Sequence, residues 1–266
     1  MLDEDMAEAS ESDLHEAAQR LGLVLTGPPV RSFFSVGSKA RRDEDNYWLR
    51  VRRAHLLTWT PRRLGYVEST AVHGVPKPVV IDSTQWFDAP NIVRAEVLSF
   101  VPATVISPSL HLKTVPALSD TWWSALSDAV KNLADTPTLR DTAHVLDDVP
   151  FLRRFYGREI PEPTDWATEH EDPHWANITG PDLHILDWDF WGRQPRGFTV
   201  AGLYCTSLGV PDVSDRLLQE FPGLLNSPSG KWSILYHLWY RRKGLPSFLA
   251  WERAATVARS ILRDLT

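Results

Sequence analysis

HEDPHWANITGPDLHILDWDF, residues 170–190, is the stretch on which the reading of the whole chain turns. Asp172 precedes Asn177 by five positions, and Asp187 follows Asn177 by ten, inside the apolar run Ile185-Leu186-Asp187-Trp188. The order is a loop, a short hairpin and an aspartate on a buried-looking strand. Taken singly, Asp172 and Asn177 are ordinary turn residues beside Pro and Gly. Asp187 is harder to explain away, because a carboxylate between Leu186 and Trp188 needs a salt-bridge partner or a metal to offset its desolvation. The joint spacing favours one shared site.

Oxygen donors of this kind suit a hard cation. Mg²⁺ keeps several waters and takes only one or two carboxylates, so the carboxamide of Asn177 and the carboxylate of Asp187 suffice as protein ligands. Asp172 is then left to orient an incoming hydroxyl and take its proton, which is the division of labour in phosphoryl transfer. His170 and His174 read as loop-holding residues acting through ring hydrogen bonds. The nine histidines show no zinc spacing. Asp189 reads equally as a group behind the metal ligand or as an exposed acid.

The pattern H-x-D-x-H-x-x-N from His170 to Asn177, followed by Leu186-Asp187-Trp188-Asp189, resembles the aminoglycoside phosphotransferase-like family within the wider protein-kinase-like fold. That family's signature runs roughly H-G-D-L-H-x-x-N, a β-hairpin, then I-D-W-D/E. Glu171 replaces the usual Gly, which tolerates positive φ, and Pro173 replaces the usual Leu and restricts Asp172 before it. The resemblance implies an α/β (α+β) bilobal fold with a small antiparallel-sheet N-lobe and a mainly helical C-lobe. It also implies an enzyme that moves the γ-phosphoryl of ATP or GTP, with Mg²⁺, to a hydroxyl of a small molecule. A cationic, aminoglycoside-like acceptor fits the acids of this region.

Composition sets the outer bounds. With 266 residues the chain is long enough for one large domain or two lobes. A lone cysteine, Cys205, excludes an internal disulfide and suits a reducing compartment. No apolar run approaches the roughly 20 residues needed to span a bilayer, and the acidic N-terminus lacks a signal pattern. The expectation is a soluble, cytoplasmic protein without membrane contacts. The net charge of −6 lies wholly in residues 1–20, which hold seven acids and one Arg. Residues 31–63 carry nine Lys or Arg against three acids, whereas residues 159–192 carry nine acids and no Lys or Arg. Such asymmetry fits a triphosphate held between two lobes, and equally two solvated surfaces of opposite sign. No nucleic-acid-binding motif accompanies the basic segment.

In chain order, residues 1–29 read as an acidic segment running into an amphipathic helix through Leu14, Ala17, Ala18 and Leu21. Residues 30–101 read as the N-lobe. Its first strands are Arg31–Val36 and Tyr47–Val51, joined by the polar GSKARRDEDN, in which Gly37 and Ser38 stand for a phosphate-covering glycine loop. By the resemblance, Arg50 contacts nucleotide phosphates, a helix after Thr60-Pro61 carries Glu68 to pair with that cation, and Leu98–Val101, including Phe100, forms a hinge that binds the base. For Arg50 an exposed strand Arg paired with a surface acid remains the plainer reading. Two further strands, VVIDSTQWFD and IVRAEVLSFV, meet at Ala89-Pro90-Asn91.

Residues 102–266 read as the helical C-lobe with the catalytic loop and acceptor site. Ser119 caps a helix to Ala134, Pro150–Tyr156 is a second helix, Gly192–Arg196 is a loop and FTVAGLYCTSL is a buried helix. Two more helices follow, Lys231–Arg242 and Ser247–Leu265. In the last, Phe248, Trp251, Ala255, Ala258, Leu262 and Leu265 repeat as a core stripe, while Trp239, Tyr240 and Trp251 are alternatively acceptor-pocket residues. A kinase of this fold acting on Ser or Thr of a peptide, or a nucleotide-binding scaffold without catalysis, are the competing functions.

Overall fold

The computed structural model describes residues 8–32, 35–58, 65–141 and 144–264. It divides into two units: residues up to Thr70 together with Pro78–Pro102, and Ala71–Lys77 together with the chain from Ala103 onward.

The first unit is a helix laid on an antiparallel sheet. Helix α1 (Glu11–Arg20) starts at a capping box, in which Ser10 accepts from the Asp13 N–H while the Asp13 carboxylate accepts from the Ser10 N–H. Strands β1 (Val24–Leu25), β2 (Val30–Arg31), β3 (Val36–Arg42) and β4 (Asp45–His55) follow, then the short helix α2 (Gly65–Glu68) and strands β5 (Val80–Asp88) and β6 (Asn91–Ser99). Their order is β1-β3-β4-β6-β5, with β2 also on β3. Strand alternation places Leu49, Val51, Val93, Ala95 and Val97 in one apolar core with Leu14, Ala17, Ala18 and Leu21 of α1. The opposite residues, Arg50, Arg52 and Glu96, are buried as well.

The first hairpin differs from its sequence expectation. Residues 36–42 are strand, and the turn shrinks to Asp43-Glu44, with Asp43 at φ 54°. Charge disguised the strand: Ser38 and Ala40 alternate inward, while Lys39 and Arg42 lay their cations over Phe100 and Tyr47. Thr60-Pro61, the expected helix entry, lies outside the described residues.

In the second unit, β7 (Thr104–Val105) precedes α3 (Asp120–Ala134) and α4 (Val149–Tyr156). Ser119 caps α3 as expected, accepting from the Trp122 N–H. Strands β8 (Trp166–His170), β9 (Thr179–Gly180) and β10 (Trp191–Pro195) come next. β10 pairs antiparallel with β8, so residues 192–195 are strand where a loop was expected; the buried side chains of Trp191 and Gln194 hold it there. Helix α5 (Phe198–Thr206) is buried at every position. Helices α6 (Pro211–Glu220) and α7 (Pro222–Leu225), which the sequence reading did not anticipate, lead to α8 (Pro228–Tyr240) and α9 (Phe248–Asp264).

Helix α9 turns a different face inward from the expected one. Ala250, Ala254 and Ile261 are buried, whereas Phe248 and Trp251 are 78% and 50% exposed. α9 packs on α8, its small alanines are enclosed, and the bulky aromatics are left exposed.

Two stability measurements check these packings. The buried Asp13 carboxylate also holds Arg53 at 2.6 Å; despite the desolvation that opposes charge, Arg53 and Ser10 keep its pKa below the ordinary value. A depressed folded-state pKa contributes stability above the unfolded value, and that contribution is lost as pH falls through the folded one. Asp13→Ala is expected to cost about 3 kcal/mol in urea unfolding near neutral pH, with the gap to wild type closing in acid. Ile261→Ala is expected to cost about 2–5 kcal/mol, against about 0.5 kcal/mol or less for Trp251→Ser; the reverse order would restore the expected face.

Candidate active site

The loop after β8 is fastened to α5 before it presents any polar group. Glu169, fully buried, accepts from the N–H groups of Gly197 and Thr199 at 2.6 and 3.0 Å and from the Thr199 hydroxyl. These are the otherwise unpaired donors of the helix start. Burial raises the Glu169 pKa, and these three bonds oppose that rise. Further along α5, a Cβ at Gly202 would meet the Pro173 ring and, at 2.9 Å, its carbonyl oxygen. Trp175 closes the attachment by donating to the Leu203 carbonyl and the Ser207 hydroxyl.

Asp172, His174 and Asn177 come together on this loop. The Asp172 carboxylate accepts from His174 Nε2 at 3.2 Å and from Arg241 Nη2 at 2.9 Å. Burial opposes its charge, yet the His174 and Arg241 partners outweigh it and hold the carboxyl well below the usual range. Asn177 Nδ2 donates to the Asp172 carbonyl at 3.2 Å. The same Nδ2 also lies 3.1 Å from His174 Nε2, so the amide, the ring and the Asp172 backbone form one cluster. The Asn177 Oδ1 is left without a hydrogen-bond partner among the described residues.

Asp187 sits in a turn, not in the expected strand, with φ 58°. The turn is pinned by His170, whose Nε2 lies 3.1 and 3.0 Å from the carbonyls of Leu186 and Asp187. Burial lowers the His170 pKa to about 4, so the ring is a neutral Nε2–H donor at ordinary pH. The Leu186 N–H donates to the Asn177 carbonyl at 2.8 Å, bringing the two halves of the motif alongside one another. Asp187 is half-buried; Asp189 is 2% exposed, and its carbonyl accepts from Arg140.

The donors fit a hard divalent cation. Asn177 offers an unused carbonyl oxygen and Asp187 a carboxylate on a pinned turn, both hard oxygen ligands. Among the described residues no group of three or more His, Cys, Asp or Glu is placed to hold a metal.

In the first unit, Gly37 and Ser38 lie within β3 rather than in a loop. A Cβ at Gly37 would strike the Trp48 ring at 2.8 Å, and the Ser38 hydroxyl donates to the Gly27 and Lys39 carbonyls. Arg50 is buried, not on the surface; it contacts Glu96 at 3.4 Å and Ser35 Oγ at 3.1 Å and lies over the Tyr66 ring. Glu68 ends α2 and is half-buried. Leu98 is buried in β6 between Trp48 and Val80, and Phe100 follows the strand end.

At least five of the nine acids in residues 159–192 are engaged by partners. Glu159 and Glu162 face Arg153, Asp165 faces Arg196, Asp172 faces Arg241 and Glu169 is spent on α5. Arg241 and Gly202 are the site residues that sequence reading missed. Arg241 lies 69 positions from Asp172 with no local signal, whereas the glycine in an otherwise bulky apolar helix was a visible mark of close approach.

Of the acceptor-pocket alternatives, Trp239 is half-buried beneath Arg242, and Tyr240 stacks on Tyr236. No helix among the described residues is long and apolar enough to cross a membrane.

A sheet unit with a central buried Arg, and a mainly helical unit carrying Asp172, Asn177 and Asp187, make up a kinase-like fold. Solved structures agree. The apo form of a thermostable mutant of aminoglycoside phosphotransferase APH(4)-Ia is similar at TM-score 0.58 and 12% identity, over 94% of this chain and 99% of that one. Its ternary complex with AMP-PNP and hygromycin B gives 0.57 and 12%, over 95% and 99%. An aminoglycoside-3'-phosphotransferase of type VIII gives 0.53 and 16%, over 84% and 98%. At such identities the shared property is the fold: this chain has the aminoglycoside phosphotransferase-like fold. No family model matches the sequence, and no curated protein matches it either.

Because the loop rests on Gly202, Gly202→Ala is expected to destabilise the protein by about 1–3 kcal/mol through overpacking. Denaturant unfolding measures it, and a neutral result would mean that Pro173 does not pack on α5.

Proposed function

We propose that this protein is a Mg²⁺-dependent phosphotransferase that moves the γ-phosphoryl of ATP or GTP to a hydroxyl of a small molecule. The observation that carries this reading is the joint anchoring of Asp172, Asn177 and Asp187. One loop fixes the Asn177 amide on the Asp172 carbonyl and sets its chain against Leu186, beside Asp187. Protein folding has no need of this arrangement, since a turn requires neither an idle amide oxygen nor a carboxylate at positive φ.

Asp172 orients the acceptor hydroxyl and takes its proton. The acceptor oxygen bonds phosphorus as the bond to the bridging oxygen of the β-phosphate breaks, and the nucleoside diphosphate leaves. Asn177 and Asp187 would hold Mg²⁺, which when bound neutralises phosphate charge. Arg50 is assigned to the phosphates, its planar, permanently charged fork suiting them. Glu96 and Ser35 preset that fork, and Glu68 supports it. Gly37 and Ser38 act through the β3 backbone, and Leu98 and Phe100 flank the main-chain groups assigned to the base. His170, His174 and Asp189 maintain the loop.

Thermal-shift titration with ATP, GTP and ADP, with and without Mg²⁺, tests the nucleotide half of this reading. A true site raises apparent stability by about 2.7 kcal/mol at ligand one hundred times its dissociation constant. The Mg²⁺-dependent part is expected to vanish in Asp187→Asn. Asp172→Ala is expected to bind nucleotide while turnover falls about 10²–10⁴-fold. No shift with any nucleotide would instead favour a scaffold without catalysis.

A further inference from the structure

We propose that the acceptor is a small hydroxy acid whose carboxylate is recognised by Arg241. This rests on the phosphotransferase reading and goes beyond it in naming the substrate class.

Arg241 ends α8, and its side chain is 8% exposed while reaching Asp172 at 2.9 Å. Of its five guanidinium donors, one meets that carboxylate, and its buried Nε has no hydrogen-bond partner. A buried guanidinium donor without an acceptor is costly unless a ligand completes it. The second observation is His111, 6% exposed, whose Nε2 also has no partner. Burial first, then the fields of Arg241 and His174, lower its pKa to about 4. That nitrogen also stands 3.6 Å from where a Cβ on Gly244 would lie, so His111 faces the Arg242–Gly244 turn.

Cations are concentrated at this end of α8, alongside the acids Asp172, Glu171 and Asp148. Arg241, Arg242 and Lys243 are consecutive; Asp172 meets the first, and Arg242 is spread over the Phe155 and Trp239 rings. A polycationic acceptor would have to approach Asp172 against these groups. A carboxylate beside the reacting hydroxyl instead competes for Arg241, satisfies its idle donors and draws the guanidinium from Asp172 Oδ1 as the hydroxyl arrives. Arg241 is thus a specificity residue that couples acceptor binding to release of the base.

The test is calorimetric binding and ADP-release kinetics with D-glycerate, glycerol and kanamycin, in the presence of Mg²⁺ and nucleotide. These probes are a hydroxy acid, its neutral counterpart and a polycation. Wild type is expected to bind glycerate about ten to a hundred times more tightly than glycerol, the worth of one charge-assisted hydrogen bond. Kanamycin is expected to be neither bound nor phosphorylated. In Arg241→Gln the glycerate preference disappears as a rise in dissociation constant and KM, with the dissociation constant of Mg²⁺-ADP unchanged; Arg241→Lys retains part of it. Glycerate binding no tighter than glycerol in wild type, preference for kanamycin, or a preference intact in Arg241→Gln would each overturn the proposal. Failure of nucleotide to bind is a separate outcome, because it strikes the phosphotransferase reading; glycerate binding without nucleotide still decides the role of Arg241.

Discussion

The active-site loop depends on a buried carboxylate meeting a buried helix start. Helix α5 is enclosed on all sides, so its first N–H groups cannot reach water. Glu169, at the end of β8, accepts from two of them, and the next residue, His170, donates its own N–H to the Thr199 hydroxyl. Strand and helix are thereby locked at the point where the loop departs. From there the loop follows α5 downward, with Pro173 over Gly202 and Trp175 on Leu203 and Ser207. Asp172 hangs between these attachments and Asn177 follows the last of them, so their geometry is inherited from helix packing rather than from the loop's own turns.

The departures at Glu171 and Pro173 are absorbed by this arrangement. Asp172, which Pro173 restricts, is not among the residues at positive φ; the left-handed residue of the motif is Asp187. An aspartate there costs backbone energy that a glycine would not. The turn keeps it because His170 holds the carbonyls of Leu186 and Asp187 itself, and Trp188 is sealed beneath, donating to the Ile185 carbonyl at 2.7 Å.

What the sequence disclosed was local. Ser119 capping α3, the mostly apolar, fully buried α5 and the strands meeting at Ala89-Pro90 were legible because neighbours within a few residues decide them. The Asp172, Asn177 and Asp187 spacing was also legible. Asp172 and Asn177 share one loop, whereas Asp187 lies beyond β9 and comes alongside through the Leu186 N–H to the Asn177 carbonyl. The errors arose where distant chain decides. β3 looked like a polar loop because its cations rest on rings at Tyr47 and Phe100, and β10 needed β8 to become a strand. The apolar stripe of α9 could not be phased from sequence, since alanines at 250 and 254 weigh less in a pattern than Phe248 and Trp251 yet are the ones buried.

Charge shows the same limit most sharply. Nine acids without a cation over residues 159–192 read as a negative surface, but electrostatics follows distance in space, not along the chain. Arg153, Arg196 and Arg241, all from outside the stretch, meet four of those acids. The exposed pairs on Arg153 and Arg196 contribute little. The pair on Asp172 differs, because Arg241 is almost fully enclosed and its field is poorly screened. A buried cation held against the carboxylate assigned as base is costly to desolvate and hard to justify as a stabilising contact. It stands beside unpartnered nitrogens on His111 and on itself, so a cation from α8, invisible in the local sequence, sets the field at Asp172.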